Sequence, residues 1–275
     1  MIKTSIIISV YKDVQALQLI LESLTKQTVL SDEIIISEDG ESAEIKNFIN
    51  SIKVPNLIHL SQKDNGWQKN KALNRAIIQA QHEYLIFIDG DCVPFFTFVE
   101  SHKLLAKNNH VLCGRRSEPG EYFSKLLREK KLSLSNFIDE YKKKYFQLKT
   151  DNIRHYDESL YLHPHSKILK FINLLRYKKE NHIVGCNFSC FKSDLEKING
   201  FDEDFNLPTT GEDTDIERRM RHFGIKMSSC RYSANMIHLY HEKNFNPEIT
   251  KQTEALMESK NNIYFCRNGL TKETH

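Results

Sequence analysis

Five acidic side chains and two histidines carry the types and spacing that chemistry needs. Asp89 and Asp91 flank Gly90 just beyond the apolar run Tyr84-Leu85-Ile86-Phe87-Ile88. Two carboxylates that close repel each other unless a positive charge is shared between them. Carboxylate oxygens are hard ligands suited to Mg2+ or Mn2+, ions that usually hold substrate phosphates as well. The glycine between them lets the backbone turn so that both face one cation. A turn with two solvated acids is the plainer alternative.

Further along, Glu212, Asp213 and Asp215 crowd the start of a helix after Gly211. Capping and the helix dipole account for one or two acids there, and a cluster of this kind also presents a general base. His238 and His241 lie three apart near a strand end, a pair that modestly favours metal binding. His163 and His165, either side of Pro164, are read as loop residues. In "NKALNRAI", Lys71, Asn74 and Arg75 stand at i, i+3 and i+4 and share a helix face. That face is either solvated or meets a diphosphate, with the arginine fork and the lysine point charge both suited to phosphate. An apolar strand ending in DxD also fits an aspartyl nucleophile of a phosphotransferase. There, however, the motif normally closes the first strand of the domain, whereas here three strand–helix units precede it.

These residues need elements to position them. Strands are expected at Thr4 to Val10, Ile34 to Ser37, Leu57 to Leu60 and Tyr84 to Ile88. Helices are expected between them, at Val14 to Lys26, Ser42 to Ser51 and Gln68 to Gln81. Regular alternation of this kind implies parallel strands with right-handed crossovers, and ligands then bind beyond the C-terminal strand ends. Ser9-Val10-Tyr11, Glu38-Asp39-Gly40 and Asp89-Gly90-Asp91 all fall at such ends. The stretch 182–192 resumes strand character, a helix spans Glu212 to Phe223, and strands follow near Lys226 to Arg231 and Asn235 to Tyr240. A last helix covers about Pro247 to Cys266.

The bulk properties narrow the class. No apolar run approaches the ~20 residues of a membrane span, and Met1 leads directly into a strand without a signal-peptide pattern, so a cytoplasmic protein is expected. Six scattered cysteines with no paired CxxC set point to reduced, mostly buried thiols rather than zinc. From Arg115 to Glu180 there are 16 Lys and Arg against 9 Asp and Glu, a net +7. The whole chain carries +3, which leaves −4 on the remainder. This Lys-, Leu- and aromatic-rich stretch is read as a helical insertion facing either solvent or an anionic partner. A non-catalytic module docking at membranes through that segment is a third functional reading.

The ordered set "ISVYKD", "SEDGES", "NKALNRAI…YLIFIDGDCVP", "GCNFSCFKSDLEKINGFDEDF", "GEDTDIERR" and "HLYH" resembles glycosyltransferase family 2. The similar branch is the one with a galactosyltransferase-like C-terminal part, as in chondroitin-type polysaccharide synthases. The resemblance implies one α/β domain of the GT-A fold, with a nucleotide-sugar-binding half over 1–116. A basic helical insertion over 117–180 and an acceptor-binding, catalytic half over 181–275 complete it. It implies that Val10 and Tyr11 line the nucleoside pocket, that Asp39 contacts the base, usually uracil, and that Asn187 approaches the donor sugar. Asp89, Gly90 and Asp91 match the DxD, with Asp91 the more direct ligand of Mn2+ or Mg2+, joined by His241, with His238, at the closing metal position. Asp213 matches the catalytic base, and Glu212 contacts the acceptor or steadies that base. Leu73 stands where the related pattern has arginine, so Lys71 or Arg75 is expected to touch the donor diphosphate. Leu207 to Gly211 replace the tryptophan or glycine usual before the Glu-Asp pair. The implied reaction is inverting transfer from a nucleotide sugar to a surface glycan such as lipopolysaccharide or capsule. Peripheral contact with the inner membrane through 121–180 is expected, and no nucleic-acid partner.

Overall fold

The computed structural model describes residues 1–175, 181–208, 211–242 and 246–272. Chain order gives β1 (Thr4–Val10), α1 (Val14–Thr25), β2 (Glu33–Asp39), α2 (Ala43–Ser51), β3 (Leu57–Gln62), α3 (Lys69–Gln79) and β4 (Tyr84–Asp89). Next come β5 (Cys92–Pro94), α4 (Phe98–Leu105), β6 (His110–Cys113), α5 (Glu121–Arg128), α6 (Leu134–Asp139), α7 (Tyr145–Thr150) and α8 (Lys167–Leu175). The chain then forms β7 (Phe188–Phe191), α9 (Lys192–Glu196), α10 (Gly211–His222), β8 (Lys226–Ser229), β9 (Met236–His238) and α11 (Pro247–Ser259).

Seven strands make the central sheet in the order β3-β2-β1-β4-β7-β6-β8. Strands β1 to β4 are mutually parallel, as their continuous apolar runs require when both sheet faces are covered. Alternation sorts the side chains. Ile6, Ile8, Ile34, Ile36, Ile86 and Ile88 pack on one face with Leu17, Ile20 and Leu24 of α1. Ile7, Ile35, Leu85 and Phe87 pack on the other with Leu73, Ala76 and Ile77 of α3. Asp13 caps α1 by accepting from the Ala16 amide at 2.9 Å.

Three pairings among the described residues are antiparallel, β4–β7, β6–β7 and β5–β9, and the first and last serve the site. β7 runs antiparallel to β4 with Phe188 opposite Phe87, their rings stacked 4.4 Å apart. The short β5 pairs antiparallel with β9, which sets Cys92 opposite His238. Strand character expected over 182–192 begins only at Phe188, because the preceding residues serve the site rather than a ladder. α4, β5 and β6 were not expected. They are short and carry polar residues such as His102 and His110, so the apolar periodicity is weak. The last helix stops at Ser259, short of Cys266. All six cysteines are free and buried. No helix among the described residues is long and apolar enough to cross a membrane.

The stretch from Glu121 to Leu175 folds into helices and 3-10 turns. Its Phe123, Leu127, Leu134, Phe137, Tyr141 and Leu148 belong to the same buried cluster as Ile6 and Ile8, so this segment helps to build the core.

Asn74 is a keystone rather than part of a cationic face. Its amide donates to the Phe201 carbonyl at 2.8 Å and accepts from the Phe201 amide at 2.9 Å. Asn74→Ala leaves both backbone groups unpaired in a buried place and is expected to cost about 2 kcal/mol. A shift of the urea midpoint at unchanged slope is the measurement that checks it; an unmoved midpoint would remove Asn74 from the list of anchors.

Candidate functional site

The C-terminal ends of β1, β2 and β4 open into a cleft of about 710 Å3, lined among others by Val10, Tyr11, Asp39, Trp67, Lys69, Asp89, Gly90, Asp91, His238 and His241. Register places Ser9 beside both Ser37 and Asp89, so the three strand ends rise to one level. Asp39 accepts from the Gln62 side chain at 2.8 Å and from the Gln68 amide at 2.7 Å, which fixes its carboxylate at the cleft wall. Tyr11 is half exposed and its hydroxyl donates to Asp64. Trp67, unremarked in the sequence, supplies a second aromatic wall.

The two acids of the DxD meet different side chains. Asp89 Oδ1 lies 2.9 Å from the Lys69 ammonium. Asp91 Oδ2 lies 3.3 Å from His238 Nε2 and 3.4 Å from His241 Nε2. The β5–β9 pairing creates the second arrangement, and the Leu239 amide donates to the Asp91 carbonyl at 2.9 Å to hold it. Burial pushes the Asp91 carboxyl up, but the hydrogen bond and charge of His238 win and hold it well below the usual carboxylate range. Cys92 Sγ donates to Asp91 Oδ1 at 3.3 Å. Carboxylate oxygen with two imidazole nitrogens is a donor set that fits a divalent metal of the Mn2+ kind. Gly90 has a steric role: a Cβ there would meet the Ser9 carbonyl at 2.6 Å.

Lys69 was missed, and it takes the place expected of Lys71 or Arg75. Residues two apart on a helix point about 200° away from each other, so Lys69 faces the sheet while Lys71 is exposed. Arg75 spends its guanidinium on the Ser61 carbonyl at 2.9 Å and on Gln62, which in turn steadies Asp39. The signal was present: Lys69 continues the buried stripe Leu73–Ala76–Ile77–Ala80 by one helical turn.

Lys69 also reaches Glu212 Oε1 at 3.5 Å, tying the end of β4 to the start of α10. Burial pulls its pKa down, but Asp89, Glu212 and Asp213 outweigh burial and keep it well above the ordinary lysine value. Asp213 sits in a small enclosed void with Ser9, Asp89 and Gly185. Its Oδ2 accepts from the Gly185 amide at 2.7 Å, and a Cβ on Gly185 would meet Oδ1 at 2.6 Å, so only glycine admits the carboxylate here. Oδ1 is buried and has no hydrogen-bond partner among the described residues. Burial first, then the neighbouring Glu212 charge, pushes the Asp213 carboxyl up to about 7. Burial also raises Glu212, against the pull of Lys69.

Asn187 does not join this group. Its amide donates to the Arg115 and Ala234 carbonyls at 2.8 and 3.0 Å, fully buried and away from the cleft. Its role is to fasten the segment that delivers Gly185.

Removing the Lys69 charge leaves the buried Glu212 and the half-buried Asp89 and Asp213 without their shared cation. Lys69→Met is expected to destabilise the protein by roughly 3 kcal/mol, a drop in Tm of about 6–12 °C, with Lys69→Arg recovering most of it. Calorimetry of both variants decides; a Lys69→Met protein that melts like wild type would contradict the bridge.

Comparison with known proteins identifies the family and the fold. Residues 5–198 match the model of glycosyl transferase family 2, and residues 166–242 match that of the N-terminal domain of galactosyltransferase. The chain is 30% identical over 116 residues to a chondroitin synthase of Escherichia coli, a match that spans 41% of this chain and 17% of that protein. Among solved structures it is similar to GalNAc-T7 with UDP, GalNAc and Mn2+, with a TM-score of 0.63 and 13% identity over 94% of this chain and 48% of that one. It is also similar to the mannosyltransferase PcManGT of Pyrobaculum calidifontis in complex with GDP-Man and Mn2+ (TM-score 0.56, 13% identity, 89% and 59% covered). These likenesses establish the GT-A fold, and with a family model matched over more than half its length the chain belongs to glycosyl transferase family 2.

Proposed function

We propose that this glycosyltransferase is inverting and metal-dependent, moving a sugar from a UDP-sugar to a glycan acceptor such as lipopolysaccharide or capsule. The observation that carries the reading is Asp213, a half-buried carboxylate with Oδ2 anchored and Oδ1 shielded and unpartnered, its pKa near working pH. A general base needs that combination of orientation, an accepting lone pair and a matched pKa. Asp91, His238 and His241 would hold Mn2+ or Mg2+. When bound, such an ion neutralises charge gathering on a departing diphosphate. Both similar solved structures named above contain Mn2+ with a nucleotide or nucleotide sugar.

The chain's own residues then divide the work. Val10, Tyr11, Asp39 and Trp67 form the wall for a nucleoside. Lys69 adds a cation beside the diphosphate position and offsets part of the burial that raises Glu212 next to the base. Asp213 Oδ1 takes the proton of the acceptor hydroxyl as that oxygen attacks the anomeric carbon from the side opposite the leaving group, inverting it. Asp89 is engaged by Lys69, which disfavours the alternative of a free aspartyl nucleophile.

Peripheral contact with the cytoplasmic face of the inner membrane is part of the proposal. Phe146 is 80% exposed in the stretch that holds Lys142, Lys143 and Lys149, and the exposed Ile168 and Phe171 of α8 follow Lys167 and Lys170 in turn. Apolar side chains amid lysines suit an anionic bilayer surface.

Three outcomes are expected. Asp213→Asn lowers turnover about 10^2- to 10^4-fold, measured as UDP release from UDP-sugars with Mn2+, while UDP still raises the melting point. In the wild type the rate rises with pH through about 7, because Asp213 must lose its proton to act as base; a rate flat from pH 5.5 to 8.5 would remove it from that role. Full-length protein co-sediments with phosphatidylglycerol vesicles and not with phosphatidylcholine vesicles, and Phe146→Ser with Phe171→Ser reduces that binding severalfold.

A further inference from the structure

A second cleft, of about 680 Å3, opens beside the first and shares His238 and His241 with it. A ligand filling it therefore lies against the edge of the site where Asp91 meets the histidine pair. We infer that this second cleft is a saccharide subsite, holding a sugar unit of the acceptor glycan next to the one that receives the transferred sugar. The inference rests on the transferase reading above and adds where the acceptor chain runs.

Three features support it. First, the cleft is a built feature with a rigid frame. Glu118 and Arg154 exchange backbone hydrogen bonds at 2.9 Å in both directions, forming its floor. The Asp151 carboxylate accepts from the Tyr122 and Phe123 amides, each at 3.0 Å, and so fixes the first turn of α5. The opposite wall is tied to α5 where the Tyr240 amide donates to Ser124 Oγ at 2.9 Å. Ser117 and β9 complete the frame, with the Ser117 amide donating to the Met236 carbonyl and the His238 amide to the Ser117 carbonyl.

Second, the lining chemistry suits a polyhydroxylated ligand. Tyr122 is 62% exposed and Tyr240 43% exposed, one on each wall. Each offers an apolar ring face for the C–H face of a pyranose and a hydroxyl at its tip. Lys125 lies one turn along α5 from Tyr122 and on the same side. Glu121 and Asn152 add hydrogen-bonding groups, and among the described residues the lining holds Pro119 but no Leu, Ile, Val or Met. Third, the volume falls within the range of small-ligand pockets and is close to that of the donor cleft.

The test uses full-length protein, labelled and applied to an array of microbial surface glycans in the presence of UDP and Mn2+. Wild type is expected to bind a subset of the array. Tyr122→Ala and Lys125→Ala are each expected to weaken that binding tenfold or more, with the UDP-induced rise in melting point and the hydrolysis of UDP-sugar in the absence of acceptor unchanged. Phe146→Ala, an exposed aromatic outside the cleft, serves as the control and is expected to bind as wild type. No glycan bound by wild type, or equal binding by wild type and both cleft variants, overturns the subsite. Loss of UDP binding or of UDP-sugar hydrolysis in the wild type would instead sink the transferase reading, so the two failures are told apart.

Discussion

One buried ammonium holds the site together. Lys69 comes from the first turn of α3, Asp89 from the end of β4, and Glu212 from the first turn of α10. An ion in such a place loses water and is costly unless the charges around it return the loss. Three carboxylates do so, and the ammonium stays charged despite its burial. The arrangement is also unequal. Asp89 and Glu212 lie within 2.9 and 3.5 Å of the nitrogen, and Asp213 takes only the remainder of its field. That inequality separates their behaviour: Asp213 is left with burial and the Glu212 charge, and its proton affinity climbs to the range where a base is useful.

The backbone supplies what charge alone cannot. Parallel strands β1, β2 and β4 lift Ser9, Glu38, Asp39 and Asp89 to one sheet edge. A purely parallel continuation would leave the second half of the site unbuilt. β7 reverses direction beside β4, so the chain entering it passes the end of that strand and presents the Gly185 amide to Asp213. The β5–β9 pair does the same for Asp91, setting His238 across from the residue that follows it. Asp213 and Asp91 therefore each meet a partner delivered by a different antiparallel contact.

Much of this was legible from residue patterns. The first four strands and three helices follow from apolar runs and helical spacing, and the DxD, the Glu-Asp pair and the histidines stand in the sequence at the places where they gather. What periodicity does not carry is which of two lysines faces inward. Lys71 and Arg75 are spaced well for a diphosphate, but Lys69 lies on the buried stripe. Asn187 shows the opposite error: its position beside the site is correct in sequence, yet its amide is used up by two carbonyls. Short elements such as β5 and β6 depend on partners far along the chain, and no local pattern announces them.

The central basic stretch is where composition and structure diverge most. Its surplus of +7 suggests a broad positive face. Many of those cations are already engaged: Arg116 and Arg154 with Glu118, Arg128 with Asp13, Lys131 with Glu129 and Lys144 with Glu140. Arg128 in particular lies 2.5 Å from the cap of α1, and it lines the donor cleft as well. The segment also buries its aromatic residues in the main core and fastens β9 through Ser117 and Ser124. A length of chain that interrupts the α/β alternation is, in three dimensions, the wall that steadies His238 and His241 beside Asp91. Its free lysines and exposed aromatics are concentrated farther on, from Lys142 to Phe171, so cleft-building and surface contact fall to successive parts of one segment.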